Sequence, residues 1–343
     1  MFLDILRIIA VQLVLIGHGI ALCGIFEFLQ PPNFPYIQNI GVVIFFILSG
    51  FLITYSTVRK INNKGYSFKE YFIDRFSRIY AGLIPALLFI LLLDYIFQIM
   101  FPENYIYYSS YNVFTLISNL FMLQNYPLLP FVATFGTGRP LWTLAIEWWI
   151  YMFFGWIIFR TVSKHINYKY LFVLFIFSIV PIYNLFGCIG GGLFLTWIFG
   201  MGIFVLLNES YLNINKLQTC LGLIICLIGS TTSIVICKLN VYNPYFGFFI
   251  SISILLILYL FSKKKNQKNK KNAIVHLFAG YSYTLYLIHY SIFSFLVNFQ
   301  ESISTTLIFI LGFLLSNICA LFLAIPGEMK YRKLSAYLKR IYL

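Results

Sequence analysis

Charged residues are scarce in this sequence, and acidic ones scarcest. Ten Asp and Glu stand against 24 Lys and Arg, and the four types together make 10% of its 343 residues. A soluble core of this size needs a polar surface, so the scarcity excludes an ordinary water-soluble domain. Cysteine is sparse too. Cys23, Cys188, Cys220, Cys226, Cys237 and Cys319 lie in or beside apolar runs. They show no metal-ligand spacing and no partnered histidine, so neither a metal site nor a disulfide framework is expected. They read as small packing residues. Leu22 stands before Cys23, where lipoprotein processing needs a small residue, so no cleaved signal or anchor is expected there. No repeat of 20–50 residues recurs, and no two halves carry matching broken helices, as in many secondary transporters.

What is abundant is apolar sequence: 61% of residues, with a mean hydropathy of +0.87. Ten apolar runs are expected to be transmembrane helices, at about 3–25, 40–58, 79–100, 141–159, 170–187, 192–207, 217–237, 244–262, 274–299 and 305–325. The fold class is therefore an all-α polytopic membrane protein. Residues 112–130 are interrupted by Asn112, Asn119, Gln124, Asn125 and two prolines, which places them in a long outer loop, partly re-entrant or interfacial. With ten spans, 21 of the 24 basic residues fall on one side, so both termini are expected in the cytoplasm. Topology thus accounts for the net charge of +14, and no nucleic acid partner is expected. The run "KKKNQKNKK" at 263–271 reads first as a topology signal and second as a contact for membrane lipids. One membrane domain over 1–343 is expected, with no soluble domain appended.

Ionisable groups inside spans are costly and point to function. Arg7 and His18 are eleven residues apart, so they share a helix face about 16 Å apart along the axis. Arg7 is near the inner end, with Asp4 one turn away as its local counter-ion. Snorkelling accounts for Arg7 equally well; His18 needs partners. In 281–290, Ser282, Tyr286 and His289 form one polar stripe, in which the two hydroxyls also suit helix–helix contacts. In 138–154, Thr143, Glu147 and Tyr151 share a face, and a carboxylate at that depth must be paired or protonated. Trp142 and the pair Trp148–Trp149 suit an interfacial belt. At 1.5 Å per residue, His18, His289 and Glu147 fall at a common height in the outer half of the bilayer. Asp94 reaches a similar height and reads as an acid facing the outer interface. On the inner side Arg75 and Arg78 are one turn apart, either as ordinary positive-inside charge or as a phosphate clamp. Ser49–Gly50 permits close helix approach or makes room for a ligand.

In this order, the residues resemble the acyltransferase family 3 membrane proteins, which O-acylate extracytoplasmic glycans. The resemblance runs over almost the whole chain. Its Arg-then-His helix stands here as Arg7 and His18, its "FFxLSGFLI" as Phe45 to Ile53, its R-x-x-R as Arg75 and Arg78. Its "WSLxxE" stands as Trp142 to Glu147, with Thr143 for the usual Ser, and its "SYxxYLxH" as Ser282 to His289. The resemblance implies ten helices in a bacterial inner membrane, a cytoplasmic acyl-CoA donor (acetyl-CoA by default), and a glycan or lipid-linked glycan acceptor. A separate extracytoplasmic partner is compatible with it. Arg7, Arg75 and Arg78 then suit the coenzyme A phosphates. His18 would be the general base, Glu147 would orient or charge-balance an imidazole, and His289 with Tyr286 would donate to the thioester oxyanion. An acyl-enzyme through His18 is the alternative route. The rival class is a transporter or flippase of lipid-linked glycan, with His and Glu as a proton relay.

Overall fold

Backbone polar groups in lipid find no water, so apolar runs must satisfy them as helices. In the computed structural model each of the ten runs is one. The structure describes residues 1–61, 66–163, 168–187, 190–208, 214–263 and 272–343. The helices, in chain order, are α1 (Phe2–Cys23), α2 (Ile37–Ile61), α3 (Phe68–Met100), α4 (Val113–Leu120), α5 (Leu141–Ser163) and α6 (Tyr168–Leu185). They continue with α7 (Leu193–Asn208), α8 (Lys216–Ile236), α9 (Pro244–Lys263), α10 (Ala273–Leu296), α11 (Thr305–Ala324) and α12 (Tyr331–Tyr342). No strand occurs among the described residues.

Eight described helical stretches are long and apolar enough to cross a membrane, those of α1, α2, α3, α5, α6, α8, α9 and α11. The other two expected spans are helices as well. At 16 residues α7 is short, and α10 has 24 residues but spends many of them on Ser, Thr, Tyr and His. Residues 112–130 yield only the eight-residue α4, too short to span. The polar residues that interrupt this stretch pin its backbone. Asn119 donates to the Thr115 and Ala133 carbonyls and accepts from the Phe135 N–H, while Gln124 donates to the Leu141 carbonyl at 2.9 Å.

α3 begins eleven residues before the expected start. Its 33 residues extend about 50 Å, beyond a hydrocarbon core of about 30 Å, so Arg75 and Arg78 sit on a helical extension. Glu70 starts it by accepting from the Ser67 N–H at 2.8 Å. α12 is an addition that apolar runs could not announce, because it is amphipathic and basic. Asp74 of α3 holds it, accepting from Ser335 at 2.7 Å and pairing with Lys339 at 2.7 Å.

The contacts divide the chain into two compact units. The first comprises Met1–Val14, Phe28–Lys64 and Asn184–Ala279. In it α2 packs along α7 at a distance that only glycine allows. A Cβ on Gly50 would come to 2.0 Å from the Trp197 carbonyl oxygen, and one on Gly200 to 2.1 Å from that of Ile47. The second comprises Leu15–Glu27, Gly65–Tyr183 and Gly280–Leu343, with α3 packing against α5, α11 and α12. α1 is unbroken from Phe2 to Cys23. Of the basic run at 263–271, all but Lys263 lies outside the described residues, as does Cys188. The other five cysteines are free thiols.

Candidate active site

The second unit brings two histidines from opposite ends of the chain together. The rings of His18 on α1 and His289 on α10 lie 5.2 Å apart between centroids, and Tyr290 meets His18 edge-on at 5.3 Å. His289 is completely buried; His18 is partly exposed. Nδ1 of His289 lies 3.1 Å from the Leu285 carbonyl. A carbonyl only accepts, so this contact puts the neutral ring's proton on Nδ1 and leaves the lone pair on Nε2. That Nε2 is buried, and no described group hydrogen-bonds it.

One ring further along, Tyr286 lies 6.1 Å from His289. Its hydroxyl shares a hydrogen bond with the Thr143 hydroxyl, which also donates to the Pro140 carbonyl at 2.9 Å. Thr143 has one proton to give, so within this chain the proton between the two hydroxyls comes from Tyr286. Glu147, one turn from Thr143 on α5, accepts from the Tyr151 hydroxyl. The face shared by Thr143, Glu147 and Tyr151 therefore meets the α10 stripe. Ser282 is buried on the same helix, and Trp142 is half-buried. Trp148 is buried against Phe72 and Tyr80, and Trp149 donates to the Met122 carbonyl at 2.8 Å. Both serve packing.

Asp94 departs from the surface role expected of it. It is 0% exposed and accepts three hydrogen bonds: from the Thr137 N–H at 2.8 Å, the Thr137 hydroxyl at 2.6 Å and the Tyr105 hydroxyl at 3.1 Å. Gly136 makes the approach possible, since a Cβ there would sit 1.9 Å from the carboxylate. Burial, then the neighbouring Asp94 carboxylate, push the Tyr105 hydroxyl up. The clasp fixes the loop that delivers Arg139, whose charge acts at the His18 ring.

At the start of α3, Arg75 and Arg78 have different surroundings. Arg78 reaches Glu328 at 3.2 Å and lies over the Tyr331 ring at 4.9 Å. Glu328 is 1% exposed and accepts from both the N–H and the hydroxyl of Thr284. Arg75 lies over Tyr71 at 5.6 Å, and its buried Nε has no hydrogen-bond partner among the described residues. Sequence reasoning missed Glu328; its signal was a lone acid in an otherwise basic C-terminal tail. In the first unit, Arg7 lies 3.9 Å from Asp4, which also meets the terminal ammonium at 3.3 Å. Ser49 accepts from the Trp197 indole at 3.2 Å, so both Ser49 and Gly50 serve the contact with α7.

Fold and site together define a polytopic helical membrane protein whose ionisable residues meet inside its helices. The chain belongs to acyltransferase family 3: the family model, described as an acyltransferase domain, matches residues 2–325. Among curated proteins it is similar to an O-acetyl transferase of Shigella phage Sf6, 31% identical over 159 residues, 44% of each chain. It is also similar to an uncharacterized protein of Haemophilus influenzae, 25% identical over 131 residues, 38% of this chain and 54% of that one. The chain thus aligns with about half the length of these relatives. No solved structure matches.

Proposed function

We propose that this protein transfers an acyl group, most simply acetyl, from cytoplasmic acyl-CoA to a hydroxyl of an extracytoplasmic carbohydrate, in a bacterial inner membrane. The observation that carries the reading is the contact of His18 with His289. Two adjacent imidazoles inside the helices form a base of the kind that acyl transfer to an alcohol needs. Family membership and the relative called an O-acetyl transferase support the same chemistry.

In the proposed step His18 removes the proton of the sugar hydroxyl as its oxygen attacks the thioester carbon. The carbon–sulfur bond breaks, and the departing coenzyme A thiolate takes the proton back from the imidazolium. Ester and free thiol are the products. Donation from His289 and Tyr286 to the thioester oxyanion, which the resemblance implied, does not fit these partners, because the Nδ1 proton of His289 faces the Leu285 carbonyl and the Tyr286 proton faces Thr143. His289, with Nε2 as acceptor, serves instead as a second proton acceptor beside His18. Glu147 and Tyr151 balance the positive charge that develops nearby. Tyr286, anchored by Thr143, fixes the α10 face. Arg75 and Arg78 are candidates for the donor phosphates, with Arg7 one further candidate on the helix that carries His18. Mass spectrometry of surface glycans from cells with and without the gene tests the reading. A glycan that loses one acetyl mass per modified sugar on deletion is expected; identical glycans would refute it.

A further inference from the structure

The mechanism above leaves Tyr283 unused. Its ring is partly exposed, yet its hydroxyl is out of reach of solvent and hydrogen-bonds to no described group. Buried hydroxyls in native proteins have partners, and one without a partner destabilises the fold. The ring is seated deliberately. It packs where α3 has Gly82, one turn beyond Arg78, and a Cβ on Gly82 would meet it at 2.6 Å. Its neighbour Thr284 holds Glu328, the partner of Arg78. The hydroxyl is within electrostatic reach of Arg78, Glu328 and Glu147. Tyr283 therefore stands between the arginine level and the imidazole level of the same unit.

We propose that the Tyr283 hydroxyl is a binding group for the acyl donor, donating its hydrogen bond to an amide carbonyl of the pantetheine arm. The proposal rests on the acyl-CoA reading above. Six residues separate Tyr283 from His289, about 9 Å along the helix axis. A thioester placed at the imidazoles brings the arm behind it, with its two amides, to the level of Tyr283. An amide carbonyl is a strong acceptor, and a buried phenol without a partner among the described residues is the matching donor.

The test uses the full-length protein in proteoliposomes, with surface polysaccharide from gene-deleted cells as acceptor. Three acetyl donors are compared: acetyl-CoA, S-acetylpantetheine and S-acetyl-2-mercaptoethanol, a thioester without an amide. Tyr283→Phe keeps the ring and is expected to raise KM for the two amide donors roughly 3- to 10-fold, the worth of one neutral hydrogen bond. KM for the polysaccharide and turnover of the amide-free donor stay at wild type, and the melting temperature holds or rises. Gly82→Ala, which displaces the ring, gives the same donor-selective change by a second route. Wild-type KM for the amide donors in Tyr283→Phe overturns the assignment and marks a water-satisfied hydroxyl. So does an equal loss with the amide-free donor. Wild-type protein that transfers from none of the three defeats the acyl-transfer reading itself, and this assignment with it.

Discussion

His18 and His289 hold their rings 5.2 Å apart, although one lies near the start of the chain and the other near its end. Neither ring alone explains why a costly residue is kept in a span. As a pair they form one site. Groups that act as one unit lose their function together. His18→Gln and His289→Gln are each expected to lower the acyl-transfer rate by roughly 10²- to 10⁴-fold. The double variant should be little worse than the poorer single one. Rates in membranes with matched protein levels check this, and multiplicative losses would separate the two roles.

The Asp94 clasp predicts a coupled loss of stability and activity. Thr137→Val removes the hydroxyl that reaches Asp94 at 2.6 Å but leaves the backbone N–H bond. The expected cost is about 1–3 kcal/mol, read as a lower melting temperature in detergent. Because the clasp orients the loop bearing Arg139, activity should fall by more than the loss of folded protein explains. Unchanged activity in the folded fraction would make the clasp purely structural.

Arg75 and Arg78 should separate. Arg78→Ala strands the buried Glu328 carboxylate, so a loss of stability approaching 3–5 kcal/mol is expected, the usual result of breaking a buried pair. Arg75 has no such partner, and Arg75→Ala should leave the melting temperature nearly unchanged while raising KM for acyl-CoA. An equal thermal shift for both variants would contradict this division. Gel-filtration thermal scans alongside donor titrations distinguish the outcomes.

Gly50→Ala tests the α2–α7 contact. Its new methyl would fall 2.0 Å from a backbone oxygen, so the helices must part, at a cost of about 1–3 kcal/mol. A thermal melt at the wild-type temperature would contradict a crossing that only glycine allows.

Much of this was legible in the sequence because lipid is an unforgiving solvent. Ten apolar runs became ten helices since nothing else satisfies their backbone, and His18, His289 and Glu147 stood out because charge there is expensive. What stayed hidden lies where that rule relaxes. α12 is polar on one side, so hydropathy passes over it. Glu328 meets Arg78 across 250 residues, and spacing along a helix carries no trace of such a partner. Asp94 was visible, but its partners Thr137 and Tyr105 come from an irregular loop whose path periodicity cannot trace. Ser49–Gly50 left two readings open, and only the position of Trp197 favoured helix packing.

The central claim is that His18 works as the base in acyl transfer. Proteoliposomes supplied with acetyl-CoA labelled in the acetyl group, and with polysaccharide from gene-deleted cells, measure it directly. Wild-type protein should label the polysaccharide, and His18→Ala, inserted to the same level, should label it roughly 10²- to 10⁴-fold more slowly. Labelling by His18→Ala at the wild-type rate would contradict the account.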